Sequence, residues 1–216
     1  MIWLLHELLN FFGRAICHQL EERSLQVSGE VMTVCARDTG IYIGIFSTLL
    51  YLHFSKRKQN VTVPSIKISF LLLLFLVPLI IDGLGSYTHL FDSNNPRRLM
   101  TGIAFGFVLP YFIYPLLLKK FVDSKSEPIL NISKDFYFPL IISFIIGGLF
   151  YFAKLPYYIL NGLIILIIIL WFSLLASFLL SHIRSKTIRR TLSIMLSVTF
   201  LSLLSLIHSW ILSPAI

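Results

Sequence analysis

The chain of 216 residues is 56% hydrophobic and only 13% charged, whereas a soluble domain carries about 25% charged residues. A water-soluble core of this size is excluded. The net charge of +8 sits in short stretches between apolar segments, where basic residues set membrane orientation, so it argues against nucleic-acid binding. Crossing ~30 Å of hydrocarbon takes roughly 20 mostly apolar residues. The expected fold is therefore all-α: a polytopic membrane helix bundle of about six transmembrane helices, with an N-terminal interfacial or re-entrant helix. Residues 1–216 are read as a single transmembrane domain.

Residues 1–36 are read as an extracytoplasmic segment. Glu7, Asn10, Arg14, His18 and Glu21 repeat at helical spacing along one face, and Trp3, Leu4, Leu8, Phe11, Phe12 and Ile16 fill much of the rest. That pattern suits a helix lying in the membrane interface, with a re-entrant segment as the alternative. A secretory signal is not expected, because the stretch lacks a basic start, Glu7 interrupts it, and no small-x-small cleavage site follows.

The first three spans are expected at 38–54, 68–87 and 99–118, and the last three at 136–153, 158–182 and 191–213. Unusual polar residues concentrate in the motif-bearing part, 38–118. Helices 4 to 6, over 136–213, read as generic spans. Gly40 and Gly44 in the first helix, and Gly102 and Gly106 in the third, are spaced to let backbones approach closely. Pro78, Pro110 and Pro115 are candidate kinks. The serines of the sixth helix suit interhelical hydrogen bonds.

Orientation follows from the basic residues of alternate connections. One side holds twelve: Lys56, Arg57, Lys58, Lys67, Lys119, Lys120, Lys125, Lys134, Arg184, Lys186, Arg189 and Arg190. The other holds six: Arg14, Arg23, Arg37, Arg97, Arg98 and Lys154. The richer side is read as cytoplasmic, which puts both termini outside a cell membrane. Two glycosylation acceptor patterns, Asn60-Val-Thr62 and Asn131-Ile-Ser133, then fall on the cytoplasmic side and are discounted.

The candidate site comes from groups assigned to the outer side. Asp82 follows Ile68 by a rise of ~21 Å at ~1.5 Å per residue, which leaves it within the outer half of the bilayer. Ionisable groups at such depth are costly, by ~2.5–3.5 kcal/mol on insertion scales, and are commonly functional. Asp82 and Arg37 are the candidate catalytic pair, with Asp82 as general base. The bland alternative is an ion pair of Asp82 with Arg37, Arg97 or Arg98 that ties helices together. Asn94, Asn95, Arg97 and Arg98 open the third helix, where guanidinium groups and free backbone N–H groups suit phosphate. They are the candidate substrate-binding residues, for an anionic lipid head group. His89 and His208 are assigned to the same side and could complete a site. No phosphate-binding loop, dinucleotide fingerprint, HExxH or nucleophile elbow is present.

Several of these residues also form a pattern. Cys17-His18-Gln19, Glu22-Arg23-Ser24, Cys35-Ala-Arg37-x-x-Gly40-Ile-Tyr42-x-Gly44, Asp82-Gly83 and Asn94-Asn95-x-Arg97-x-x-x-Thr101-Gly102 resemble a family of bacterial and archaeal integral membrane proteins of unknown function. The resemblance covers roughly residues 13–106 and brings no activity with it. It implies that a cysteine commonly stands where this chain has Asp38. Cys, His and Asp all ligate transition metals. An aspartate can replace a cysteine in a metal site but not in a disulfide, so the substitution favours a site of Cys17, His18, Cys35 and Asp38 for a transition metal such as zinc. A Cys17–Cys35 disulfide and a pair of free thiols remain the alternatives.

Three functions stay open: a membrane-embedded enzyme acting on an anionic lipid or small molecule at the outer leaflet, a carrier of a small solute or metal ion, and a structural or accessory subunit of a membrane complex.

Overall fold

The computed structural model describes residues 2–56, 60–118, 127–130, 133–152 and 155–212. Arg57, Lys58, Lys119, Lys120, Lys125 and Lys154 of the charge count, and Asn131 of the second acceptor pattern, lie outside the described residues. The chain divides into two compact units, one of Met1–Asp38 with Lys154–Ile216 and one of Thr39–Ala153.

All six expected spans are helical. They are α2 (Ala36–Lys56), α3 (Ile66–Leu73) continued through a 3₁₀ turn into α4 (Val77–Tyr87), α5 (Asn95–Leu118), α6 (Ser133–Phe152), α7 (Tyr157–Leu179) and α8 (Lys186–Leu212). Among the described residues, five helices are long and apolar enough to cross a membrane: Ile66–Tyr87, Asn95–Leu117, Ser133–Phe152, Tyr157–Leu179 and Lys186–Ile211. The remaining helix, α2, has 21 residues but carries Arg37, Asp38, His53 and Lys56, which dilute its apolar character. The protein is an all-α membrane protein.

The first unit begins with α1 (Ile2–Arg14). The spacing from Glu7 to Glu21 suggests a helix running on past Arg14, but α1 stops there. A glycine-based contact accounts for the difference. A Cβ on Gly13 would lie 2.6 Å from the Thr33 carbonyl oxygen, so the helix end is pressed against a neighbouring strand. That strand belongs to a hairpin absent from the sequence reading, β1 (Ser24–Val27) paired antiparallel with β2 (Glu30–Cys35). Its two-residue turn has positive φ at Ser28 (54°) and Gly29 (84°), the left-handed pair that matches strand twist in a tight hairpin. The hairpin is tied to α7 by Asn161, whose Oδ1 accepts the Thr33 backbone N–H at 3.0 Å and the Thr33 hydroxyl at 2.9 Å. Leu160, Ile164, Ile165 and Ile168 of α7 and Leu201 of α8 are buried. Leu166, Leu170, Met195, Leu203 and Trp210 are exposed, as lipid-facing side chains should be. On α1, Ile2, Trp3, Leu4 and Leu8 are exposed while Leu9 is buried, an apolar outer face consistent with an interfacial helix.

The second unit is organised by close contact between α2 and α5. Ideal Cβ atoms on Gly40 and Gly44 would come within 2.2 Å of the Leu99 oxygen and 2.6 Å of the Ile103 oxygen, and one on Gly106 within 1.9 Å of the Ile41 oxygen. No side chain fits at those three positions, so the backbones touch. Leu52, Leu72, Phe107, Val108, Tyr111, Ile129 and Leu130 form the core beside this seam. Two-residue strands β3 (Val61–Thr62) and β4 (Glu127–Pro128) pair in parallel.

Candidate thiol and carboxylate centre

The loop after α1 is built to hold Cys17 in place. The Cys17 N–H bonds to the Gly13 carbonyl at 3.1 Å. Two residues on, Gln19 adopts φ of 55°, an uncommon conformation for a side-chain-bearing residue. It is held there by its own amide, which donates to the Asn10 and Thr33 carbonyls at 3.0 and 3.1 Å. Cys35 ends β2, and Asp38 lies in the first turn of α2, three residues on.

These elements bring Cys17, Cys35 and Asp38 together, with one ligand-type atom from each lying within 4.8 Å of the others. Both cysteines are free thiols. The Cys35 N–H donates to the Cys17 sulfur at 3.1 Å, and the Cys35 thiol donates to Asp38 Oδ2 at 3.1 Å. Hydrogen bonding from Cys35 holds the Cys17 thiol below its ordinary pKa despite burial. The same bond, with burial added, pushes the Cys35 thiol up. The two thiols are thus shifted in opposite directions, Cys17 down and Cys35 up. Thiols and a carboxylate are residue types that ligate zinc, and three of them this close could hold a metal ion.

His18 does not join this group. Its ring packs edge-on against His208, with centroids 4.6 Å apart. His208 Nε2 is buried and has no hydrogen-bond partner among the described residues. Adjacent residues on a turn point apart, so Cys17 and His18 face different neighbours.

The second unit holds the remaining candidates except Arg37, which belongs to the first. Asp82 is fully buried, and Arg97 Nε approaches its Oδ1 at 3.1 Å. The Ser93 hydroxyl donates to the same oxygen at 2.5 Å. The Arg97 guanidinium also stacks over the Phe91 ring at 4.2 Å, a cation–π contact that fixes its plane. Arg98 is buried, with Nη2 donating to Ser86 Oγ at 3.4 Å. Asn94 Oδ1 accepts the Arg97 N–H at 2.9 Å, which makes Asn94 the N-cap of α5. Asn95 is the first residue of that helix, and Arg37 lies one turn before Gly40 in α2.

One buried charged group escapes the sequence reading. Asp135, near the start of α6, pairs with Lys56 at 3.0 Å, and both side chains are buried. An ionisable residue beside a long apolar run is the signal that singles out Asp82, and Asp135 shares it. Its place at the span edge makes it read as a loop residue.

Comparison with known proteins agrees with this architecture. Residues 17–112 match the family model described as Predicted membrane protein (DUF2085). An uncharacterized protein of Methanocaldococcus jannaschii is 34% identical over 104 residues, covering 48% of this chain and 65% of that protein. An uncharacterized protein of Methanothermobacter thermautotrophicus is 36% identical over 93 residues, covering 43% of this chain and 79% of that protein. The chain belongs to this family of membrane proteins of unknown function. It spans a little under two thirds of the length of the first of these relatives. No solved structure matches.

Proposed function

We propose that the working part of this membrane protein is a transition-metal site formed by Cys17, Cys35 and Asp38, and that the protein is a membrane-embedded enzyme using that metal at the outer leaflet. The observation that carries the reading is the convergence of two sulfurs and a carboxylate oxygen within 4.8 Å. Thiolate ligands favour zinc among the common divalent ions. With three protein ligands, a fourth position is left for water or substrate, the arrangement of catalytic rather than structural zinc. Held by Cys17, Cys35 and Asp38, a metal would supply a centre that lowers the pKa of bound water or polarises a substrate oxygen.

The outer location is supported by the distribution of basic residues, read as putting both termini outside. Within the second unit, taken by itself, Arg97 suits an anionic ligand, a lipid or small molecule. Its side chain is 44% exposed while Asp82 and Phe91 hold its plane, and a guanidinium so placed suits a phosphate head group. In this reading Asp82 positions Arg97.

One observation favours a second reading, an accessory subunit of a membrane complex. Asp82 and Asp135 are both buried and both engaged in ion pairs, so these carboxylates tie helices together.

The test is elemental analysis of reduced protein purified in detergent. About one metal ion per chain, lost in Cys17→Ser and Cys35→Ser, is the expected result. Absence of metal from reduced, folded protein overturns the reading. Metal-dependent release of head groups from phosphatidylglycerol vesicles supports the enzyme. A metal-loaded protein inert toward them supports the accessory subunit.

A further inference from the structure

The two sulfur ligands are also the only two cysteines of the chain, and they are close to one another as well as to Asp38. Cys17 and Cys35 come from different elements, yet both are held by backbone contacts. Gly13 is pressed onto β2, Gln19 bridges the loop to Thr33, and the Cys35 N–H already touches the Cys17 sulfur at 3.1 Å. The sulfurs lie within 4.8 Å of one another, so closing to the ~2.05 Å of a disulfide is a short movement.

We propose that Cys17 and Cys35 form a redox gate on the metal site, in which a small-molecule disulfide oxidises them to an intramolecular disulfide and the ion is released. This inference rests on the metal reading above. Cys35 is the more exposed residue of the two, Cys17 being buried at 5% exposure. Cys35 therefore meets the incoming disulfide, RSSR. Its thiolate attacks one sulfur, the S–S bond of the reagent breaks, and one thiolate RS⁻ leaves. The Cys17 thiolate then attacks the Cys35 sulfur of the mixed disulfide and expels the second RS⁻. Each cysteine sulfur loses one electron, the reagent gains two, and two protons from solvent convert the leaving groups to RSH. Both sulfur ligands are consumed. Asp38 alone is left, and a single carboxylate holds a zinc ion poorly because affinity depends on the full set of deprotonated ligands. Because no third cysteine exists, only one intramolecular disulfide can form. Reduction restores the site, so the gate is reversible.

The experiment treats reduced, zinc-loaded full-length protein in detergent with excess oxidised glutathione. Released zinc is read with a chromophoric chelator, and the product by intact mass. The expected result is loss of the bound zinc in step with a product lighter than the reduced apoprotein by two hydrogens, and recovery of zinc binding after reduction. Cys17→Ser, which keeps the more exposed cysteine but has no resolving thiol, is expected to stop at the glutathione adduct. Zinc that binds but stays bound while the disulfide forms overturns the gate alone. So does a wild-type protein that holds zinc and whose cysteines do not pair. Failure of the reduced protein to bind zinc overturns the metal reading, and the gate with it.

Discussion

The ammonium group of Lys56 lies 3.0 Å from Asp135 Oδ2, with the two side chains 8% and 4% exposed. The pair joins the last turn of α2 to the first of α6, and the Tyr51 hydroxyl donates to the other carboxylate oxygen at 2.9 Å. The Tyr111 hydroxyl donates to the Asp135 backbone carbonyl at 2.5 Å, so α5 is tied to the same point. Removing one member leaves the other charge buried without its partner, a loss of ~3–5 kcal/mol in comparable sites. Asp135→Asn and Lys56→Met should each lower the thermal midpoint of the detergent-solubilised protein. The double variant Lys56→Met/Asp135→Leu should recover much of the loss, because a well-packed apolar pair often replaces a buried ion pair at little cost. Additive losses in the double variant would show that the pair is not the source of the effect.

Asp82 offers a contrast. It is fully buried, but its ion-pair partner Arg97 is 44% exposed, so Arg97 without Asp82 can turn to water, whereas Asp82 without Arg97 stays buried as a charge with fewer donors. Arg97→Ala should therefore destabilise more than Asp82→Asn, by roughly 1–3 kcal/mol, the cost of leaving a buried charged acceptor short of a donor. Unfolding midpoints of the two variants decide it. Equal or reversed losses would favour a role for Asp82 beyond holding Arg97.

The α2–α5 seam tolerates no side chain at Gly40, Gly44 or Gly106, where an added Cβ meets main-chain atoms of the facing helix. Backbone cannot move aside as a flexible side chain can. Gly106→Val should prevent stable assembly of the second unit, seen as loss of a monodisperse peak in detergent. Gly148→Ala, at a position with open space around its Cβ, should be neutral or slightly stabilising. A well-behaved Gly106→Val protein would refute the close packing.

How much of this was legible in the sequence depends on the range of the interaction. The six helical segments were, because an apolar run long enough for a bilayer is a local property. The Gly40/Gly44 spacing was, because small residues four apart mark a face. The hairpin was missed, although Ser28-Gly29 between apolar strands is a local turn signal. Its strands are short, and the helical spacing of Glu7, Asn10, Arg14, His18 and Glu21 ran across it. Helix α1 ends where Gly13 meets Thr33, a contact with a strand that periodicity does not report. The residue types of the thiol centre were visible, but the meeting of Cys17 with Cys35 depends on that hairpin. His18 is a candidate ligand by residue type, and its ring packs against His208, a contact that adjacency to Cys17 does not report. Asp135 was overlooked because its partner Lys56 is remote in sequence and read as a loop cation.

The thiol centre makes a prediction about pH. Ligand sulfurs must be deprotonated, so metal binding displaces whatever protons they carry. Cys17 lies below the ordinary thiol pKa and Cys35 above it. Between the two pKa values the metal-free pair carries one proton, on Cys35, and zinc binding displaces it. In that window affinity should fall about tenfold for each unit of decreasing pH, one proton exchanged per ion. Below the Cys17 pKa both sulfurs are protonated, and the slope should double. Competition with a chromophoric chelator at successively lower pH measures the slope on either side of that break. Asp38→Asn should weaken binding across the whole range and move the break to lower pH, because the Asp38 charge raises the Cys17 pKa. Asp38→Cys should keep or strengthen binding at high pH, since a thiolate is the softer donor. It should steepen the fall with acid, because a third sulfur adds a third proton. A flat profile in the wild-type protein would exclude thiolate ligation and, with it, the assignment of Cys17 and Cys35 to the metal.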